Sequence, residues 1–204
     1  MVSRTTTVRV ERARALADRY PHAKEALDFY RQLIGFAGDR EELKRVILKH
    51  GPSLLRQTAR EGREPALGFI ERVMLRQNPP QREAPHSNRC PQCGQMPQCA
   101  VLVPEGHGSA YQLVCSLCLA EWRFPRAQCA WCGGEGELAY YANEEMFPHI
   151  QTQTCDACQR YLHVIDLSKD VAACPDVDEI AALPLDVWAV DSGYEKITPN
   201  LIGI

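Results

Sequence analysis

The stretch of sequence that decides the fold begins Cys90-Pro-Gln-Cys93-Gly94 and ends Cys155-Asp-Ala-Cys158. It contains four Cys-x-x-Cys pairs: Cys90/Cys93, Cys115/Cys118, Cys129/Cys132 and Cys155/Cys158. A gap of 21 residues separates the first two pairs, a gap of 22 separates the last two, and 10 residues lie between these halves. This repeat of about 40 residues indicates two tandem metal-binding units.

Cysteines separated by two residues can turn both sulfurs toward one ion about 2.3 Å away, and two such pairs supply the four thiolates of a tetrahedral site. Gly94 and Gly133 directly follow second cysteines. Glycine suits the tight turn in which backbone N–H groups point at the sulfurs. Four protein ligands close the site, so the pattern favours structural or outer-sphere redox centres over hydrolytic ones. Such an all-sulfur site accepts zinc or iron.

The simplest ligand assignment pairs the motifs in sequence order. One ion is then held by Cys90, Cys93, Cys115 and Cys118, and the other by Cys129, Cys132, Cys155 and Cys158. A crossed assignment stays open at this point. Because a ribbon of this size has little core, ligation worth about 10–16 kcal/mol would supply most of its folding free energy.

The compartment follows from the cysteines and from the N-terminus. The chain has 204 residues and ten cysteines, with no apolar run of signal-peptide or membrane-span length. We therefore expect a cytoplasmic protein whose thiols stay reduced, where paired cysteines more often bind metal than form disulfides. A thiol–disulfide redox centre is the alternative, but that motif usually opens a helix in a βαβ unit and occurs once.

Charge divides the chain near Cys90. Residues 1–89 hold 18 Lys/Arg and 11 Asp/Glu, a balance of +7, whereas residues 90–204 hold 5 and 15, a balance of -10. Apolar spacing and capping residues predict helices before the break, one of them running from an N-cap at Asp39 to Gly51-Pro52. Short β-prone stretches flank the cysteine pairs after it.

We predict an α+β chain with an N-terminal helical domain and linker (1–85), two tandem rubredoxin-like, zinc-ribbon-type units (86–126 and 127–170), and a C-terminal helix and tail (171–204). The linker contains Pro79, Pro80 and Pro85, and Pro184 should interrupt the C-terminal helix.

The remaining candidates favour ordinary packing. Cys99 and Cys174 lie outside the motifs and are expected to be small buried thiols. The histidines lack metal-binding spacing, and surface or packing roles are expected for His22, His50, His86, His107, His149 and His163. Trp122 and Trp131 lie beside or within cysteine pairs and should pack near the sites.

Several segments carry a family resemblance: Cys-Pro-Gln-Cys-Gly-Gln-Met-Pro from Cys90, Leu-Val-Cys-Ser-Leu-Cys-Leu-Ala-Glu-Trp from Leu113 to Trp122, Thr-Cys-Asp-Ala-Cys-Gln-Arg-Tyr-Leu from Thr154, and the acidic tail through Gly193-Tyr194. Together they resemble the formate dehydrogenase accessory protein family, FdhE, over nearly all of residues 90–204. The N-terminal similarity is confined mainly to Ala13 through Leu33. Typical members are longer there, so the resemblance implies a shortened N-terminal helical domain.

The resemblance implies a cytoplasmic, non-catalytic chaperone-like factor that binds the catalytic subunit of a respiratory formate dehydrogenase before export and helps its maturation or redox state. It also implies two metal ions, iron or zinc, each on four of the eight cysteines. We expect no nucleic-acid partner and no membrane span, and self-association stays open.

Two other functions are kept: a ribbon-type electron carrier, which requires iron, and a nucleic-acid-associated zinc module. The balance of -10 in the ribbon half opposes phosphate binding there. The same charge could steer a basic client segment, such as a twin-arginine export signal, or could dock on the chain's own basic half.

Overall fold

A computed structural model of the chain describes residues 5–81 and 87–200. Its N-terminal part contains five α-helices, α1 (Thr6–Arg19), α2 (Lys24–Leu33), α3 (Arg40–His50), α4 (Ser53–Glu61) and α5 (Ala66–Gln77), and a short 3-10 helix (Pro21–Ala23) between α1 and α2. The expected boundary at residues 85 and 86 and the ring of His86 lie outside the described residues. The other domain boundaries stay predictions.

Helix α3 shows how local sequence sets these elements. The Asp39 carboxylate accepts a hydrogen bond from the Glu42 backbone N–H (2.8 Å), and the Glu42 carboxylate accepts one from the Asp39 N–H (3.2 Å). This reciprocal pair satisfies two N–H groups that the first helical turn leaves open. The helix ends before Gly51-Pro52, so its predicted start and end are confirmed.

The second half of the chain folds as a sheet. Seven strands are described: β1 (Pro97–Glu105), β2 (Gly108–Cys115), β3 (Glu121–Arg123), β4 (Leu138–Ala142), β5 (Ile150–Cys155), β6 (Arg160–Asp166) and β7 (Glu195–Lys196). Their order is β3-β2-β1-β6-β5-β4, and β7 pairs with β6. The predicted α+β class with two cysteine-bearing hairpin units is confirmed.

The two units share one continuous sheet. Strands β1 and β6 pair in parallel through Ala100–Val164, Val101–Ile165 and Leu102–Asp166. The strand pairs inside each unit are antiparallel, as expected for hairpins, and β7 of the C-terminal tail pairs with β6 in parallel. The sequence predicted two ribbons in a row, but it did not predict this junction, which makes the backbone of one ribbon depend on the other.

The C-terminal tail contains two short helices, α6 (Pro175–Ala181) and α7 (Leu183–Asp191). Pro184 lies at the second position of α7, where its missing N–H costs nothing, and the break falls just before it at Ala182. The predicted interruption is therefore confirmed, although the single helix we expected is in fact two. Strand β7, with only two residues, gave no sequence pattern.

The core joins the helical part to the sheet. One cluster of buried apolar side chains includes Leu27, Phe69, Val101, Ile165 and Ile180. It thus runs from α2 and α5 across β1 and β6 to α6. None of the described helices is both long and apolar enough to cross a membrane.

Ion pairs also join the helical part to the C-terminal part. They neutralise some of the opposite charges that the sequence places in the two halves. Arg9 binds Asp176 through Nε (3.0 Å) and Nη2. Arg12 binds Asp170 (2.6 Å) and Asp178, whose carboxylate is fully buried. Basic residues of α1 therefore neutralise carboxylates of α6 and of the segment before it, as expected if the halves dock on one another.

Candidate metal centres

The first group of cysteines, called site 1, contains Cys90, Cys93, Cys115 and Cys118. The Sγ–Sγ distances are 3.5 Å for Cys90–Cys118, 3.4 Å for Cys93–Cys115 and 3.6 Å for Cys93–Cys118. Four sulfurs placed tetrahedrally about 2.3 Å from one ion would lie about 3.8 Å apart. The sulfurs already occupy nearly the positions that such an ion requires.

The second group, called site 2, contains Cys129, Cys132, Cys155 and Cys158. Its Sγ–Sγ distances are 3.7 Å for Cys129–Cys158 and 3.9 Å for Cys132–Cys155, again close to a tetrahedral edge. In each group the four sulfurs lie within 4.8 Å of one another. The structure thus groups the pairs in sequence order and not in the crossed way.

Each site combines one loop pair with one pair at a strand end. Cys90 and Cys93 precede β1, and Cys115 is the last residue of β2. Site 2 repeats this, with its first pair before β4 and Cys155 as the last residue of β5. The antiparallel hairpin brings the strand-end pair back to the loop pair, which explains why gaps of 21 and 22 residues suffice.

Backbone N–H groups point at the sulfurs. In the loop pairs, Gln92 donates to Cys90 Sγ and Trp131 donates to Cys129 Sγ, each at 3.4 Å. Gly94 and Gly133 adopt positive φ, +72° and +74°, but their own N–H groups bind the carbonyls of Cys90 and Cys129 at 2.9 Å. The glycines thus make the turn, and other residues supply these bonds to sulfur.

The surroundings do not act alike on all of these thiols: burial raises the pKa of Cys90, but backbone N–H groups outweigh it and lower that pKa, and the N–H of Gly134 lowers the pKa of Cys132. Burial raises the pKa of Cys115, and burial is also the largest influence on Cys118, whose pKa is raised to about 11. Only thiolates ligate, so metal binding would have to release these protons, as a divalent ion does at such sites. The residues of both sites therefore fit a zinc or iron ion by ligand type and by distance.

The two sites differ in how far neighbouring side chains shield them from solvent. The buried cysteines of site 1 form an apolar cluster with Leu117 and Ala120, and Trp122 packs against it. Trp122 also donates from Nε1 to the carbonyl of Ser87 at 2.8 Å. In site 2, Cys132 is exposed, as is Trp131 beside it.

An arginine of the helical half reaches site 1. Arg76 of α5 donates from Nε to the carbonyl of Leu117 (3.0 Å) and from Nη1 to the hydroxyl of Tyr30 (3.2 Å). Leu117 lies between two ligands, and its own N–H donates to Cys115 Sγ at 3.3 Å. Arg76 also lines a cavity of about 230 Å³ together with Cys118. Helix α5 is thereby tied to the backbone that holds site 1.

A cation beside site 2 comes from the sheet itself. The guanidinium of Arg160, the first residue of β6, lies 4.3 Å from the ring centre of Trp131. Its Nη2 binds Glu195 of β7 at 2.9 Å, and that carboxylate is largely exposed. Trp131 is 40% exposed and its ring packs on Arg160, so the expected packing of Trp131 against its site stays a prediction.

Two buried polar networks were missed by the sequence reasoning. His163 Nε2 lies 2.8 Å from Asp186, which also accepts bonds from Tyr161 (2.9 Å) and Lys196 (2.8 Å). Burial would raise the pKa of Asp186, but His163 and Lys196 lower it below its usual range. Burial lowers the pKa of Lys196, but Glu179 and Asp186 outweigh it and raise that pKa. The positive charge of Lys196 therefore lies between the carboxylates of Glu179 and Asp186.

The second network contains His149, Asp170 and Asp178, three side chains close enough to hold an ion. Here the guanidinium of Arg12 binds both carboxylates, so the positive charge is again supplied by the chain. Both histidines have the packing role that the sequence predicted. No spacing signal could have found their partners, because Arg12 and Asp178 are separated by 166 residues.

The two cysteines outside the motifs, Cys99 and Cys174, are fully buried. Burial raises the pKa of Cys99 well above its usual value. A thiol in such surroundings stays protonated and packs as a small apolar group. This agrees with the predicted role.

The comparisons with known proteins point to one family. Residues 127–202 match the family model described as FdhE, C-terminal domain. A protein FdhE homolog from Aquifex aeolicus is 40% identical over 93 residues, which cover 45% of this chain and 32% of that protein. One from Pseudomonas aeruginosa is 35% identical over 95 residues, covering 44% and 31%. The aligned part is thus about a third of each relative's length.

The fold agrees over a longer span. The crystal structure of the FdhE protein from Pseudomonas aeruginosa superposes with a TM-score of 0.63 at 21% identity, covering 97% of this chain and 94% of that one. At this identity the match shows the fold alone. Residues 127–202 thus match an FdhE C-terminal domain, and the chain shares its fold with an FdhE protein.

Proposed function

We propose that the chain is a non-catalytic, cytoplasmic accessory factor that binds the catalytic subunit of a respiratory formate dehydrogenase and helps its maturation. The observation that carries this proposal is the FdhE C-terminal domain over residues 127–202. The relatives align with the chain over about a third of their length, so partner and activity are inferred for this chain from the family.

We also propose that site 1 and site 2 each bind one zinc or iron ion through four thiolates. The Sγ–Sγ distances of 3.4–3.9 Å support this assignment. When bound, such an ion supplies folding free energy and, if it is iron, a one-electron centre. The thiolates fill its coordination sphere, and this supports a binding role over hydrolysis.

The metal is tested on protein purified without oxygen. Elemental analysis should give two ions per chain, and an absorption spectrum distinguishes colourless zinc from red ferric thiolate. Replacing Cys93 and Cys129 by serine in one double variant should abolish both ions. Two ions retained by that variant would disprove the ligand assignment.

The accessory function is tested by deletion and by co-purification. Deleting the gene should remove formate-dependent dye reduction by the respiratory enzyme, and the wild-type chain should restore it. A tagged chain should also co-purify the catalytic subunit of that enzyme. Full dye reduction in the deletion strain, together with failure of the tagged chain to retain the subunit, would disprove the proposal.

An electron carrier is the second candidate, and the exposed position of Cys132 favours it because outer-sphere transfer needs a centre close to the surface. This function requires iron at site 2. A red protein whose colour bleaches on reduction would support it, whereas two zinc ions would exclude it. A nucleic-acid role predicts a gel shift, which the acidic ribbon half opposes.

A further inference from the structure

Helix α7 exposes an unusual amount of apolar surface. Of its side chains, Val187 is 53% exposed, Trp188 is 36% exposed and Val190 is 60% exposed. A surface helix of a globular protein normally turns polar residues outward. Three exposed apolar residues within four positions therefore need an explanation, because single exposed valines are common but contiguous ones mark contact surfaces.

Val187 and Val190 border a groove, whereas Trp188 lies outside its lining and packs on the ring of Tyr141. The groove has a volume of about 620 Å³ and lies between α7 and the segment that leads into β7. We call it the α7 groove; its apolar wall contains Leu183, Val187 and Val190, and Tyr194 lies on the opposite side. It is separate from both cysteine sites, since none of the eight cysteines lines it.

The rim of the groove is acidic. Residues 171–204 contain six Asp/Glu and a single Lys, with no Arg. Asp191 and Glu195 line the groove and are exposed; Glu195 is already paired with Arg160 of β6, so Asp191 carries the outward negative charge. The lysine, Lys196, is buried between Glu179 and Asp186 and presents no positive charge outward.

The charges on α6 are used differently. Asp176 and Asp178 are buried and bind Arg9 and Arg12 of the chain's own helical half. The acidic half is thus partly neutralised at α6, whereas the carboxylate of Asp191 on α7 faces solvent. Docking of the two halves on one another therefore leaves the negative potential at the α7 groove in place.

We propose that the α7 groove binds a basic, apolar segment of the dehydrogenase catalytic subunit. This inference rests on the proposed function and adds to it the surface and the chemistry of the segment. Apolar side chains of the segment pack on Val187 and Val190, and a Lys or Arg residue beside them faces Asp191. Acidic rims of this kind speed the approach of basic partners, and apolar floors hold them.

The test uses the full chain and the purified catalytic subunit. The double variant Val187→Ser, Val190→Ser removes the apolar wall and should raise the Kd at least about tenfold, because burial of this apolar surface would favour binding. Leu54→Ser on α4 is the matched control, since Leu54 is also 60% exposed but lies in the helical half. The control should bind as the wild type does.

The rim is tested with Asp191→Lys, which should slow association, and the wild-type association rate should fall as salt is raised. Overlapping peptides of the catalytic subunit, probed with wild type and with the double variant, then identify the segment. The peptides whose binding depends on Val187 and Val190 should be basic and apolar.

The outcomes separate the two proposals. If the wild type binds the subunit and the double variant binds it equally well, the groove inference fails and the accessory function stands. If the wild type does not bind the subunit, both fail. Dependence of acidic peptides on the groove, or a dimer of this chain that the double variant disrupts, would also overturn the inference, because the occupant would be of another kind.

Discussion

Sites 1 and 2 have the same four ligands and nearly the same backbone, but they lie in different surroundings. Site 1 is enclosed by apolar side chains and tied to helix α5 by Arg76. Site 2 has an exposed ligand, Cys132, and its neighbouring cation comes from β6. A repeated motif has thus been placed once inside the molecule and once at its surface. The comparison suggests that site 1 holds the fold together, whereas site 2 is open to exchange.

The largest difference in stability between the two sites is expected when each loses one ligand. Ligation worth about 10–16 kcal/mol exceeds the stability of most domains, about 5–15 kcal/mol. Cys115→Ser should therefore unfold the unit that carries site 1 and also loosen the helical half, because Arg76 of α5 binds the Leu117 carbonyl beside this site. Circular dichroism against temperature and amide exchange would measure this.

The matched variant is Cys132→Ser at site 2. It should lose one ion and the protection of β4, while β6 stays paired with β1 and the helical half keeps its exchange protection. Equal losses of Tm in Cys115→Ser and Cys132→Ser would contradict the comparison.

The next effect concerns the buried polar network around Asp186. Asp186→Asn leaves Lys196 and His163 without their shared carboxylate, and breaking a buried ion pair costs about 3–5 kcal/mol. Because the pKa of Asp186 is lowered in the folded state, its contribution is present above the unfolded value of about 4 and is lost as pH falls through the folded pKa.

Urea unfolding from pH 7 down to pH 2 would test this. The wild type should lose stability below about pH 4, and Asp186→Asn should lose less over that range. Asp191→Asn, which changes an exposed carboxylate on the same helix, should behave as the wild type does. Parallel pH curves for wild type and Asp186→Asn would contradict the assigned role.

A smaller effect is expected when the tie to α5 is cut. Arg76→Met removes hydrogen bonds to Leu117 and Tyr30, worth about 1.5–3 kcal/mol for a charged donor. Metal release to a chromogenic chelator should show two phases in the wild type, the slower from site 1. The variant should speed the slow phase only.

Arg72→Met is the control for that experiment, since Arg72 is an exposed arginine of the same helix. It should leave both phases unchanged. If Arg76→Met instead accelerated the fast phase, the assignment of the slower phase to a site held by α5 would be wrong.

The smallest effect concerns the surface of site 2. Trp131→Ala removes the ring on which Arg160 lies, an interaction worth about 0.5–1 kcal/mol at an exposed position. We expect a slightly faster release from site 2 and no change at site 1. Trp131→Phe, which keeps an aromatic face, should restore most of the wild-type rate.

Much of the candidate site was predictable because its determinants are local. A Cys-x-x-Cys pair forms its turn from four or five residues, and Gly94 and Gly133 adopt the positive φ that this turn requires. The capping box at Asp39 and the break before Pro184 are equally local. Cys99 and Cys174 could be assigned to the interior because cysteines outside a ligand motif are among the most buried residues of folded proteins.

The rest could not be predicted because it depends on contacts between distant residues. Strand β7 has two residues and exists only because β6 lies beside it. The networks around Asp178 and Asp186 collect side chains from separate parts of the chain, and no spacing relates them. The groove beside α7 could likewise not be predicted, since the sequence of that helix does not reveal which of its faces stays exposed.

By itself the sequence determined two tandem four-cysteine units, a basic helical part before them and an acidic tail after them, because ligand spacing, capping and charge are properties of neighbouring residues. Only the tertiary structure decided that β1 and β6 merge the units into one sheet, that Arg76 closes over site 1, and that site 2 stays at the surface. These features depend on burial, and burial is decided by what packs against a residue rather than by what precedes it in the chain.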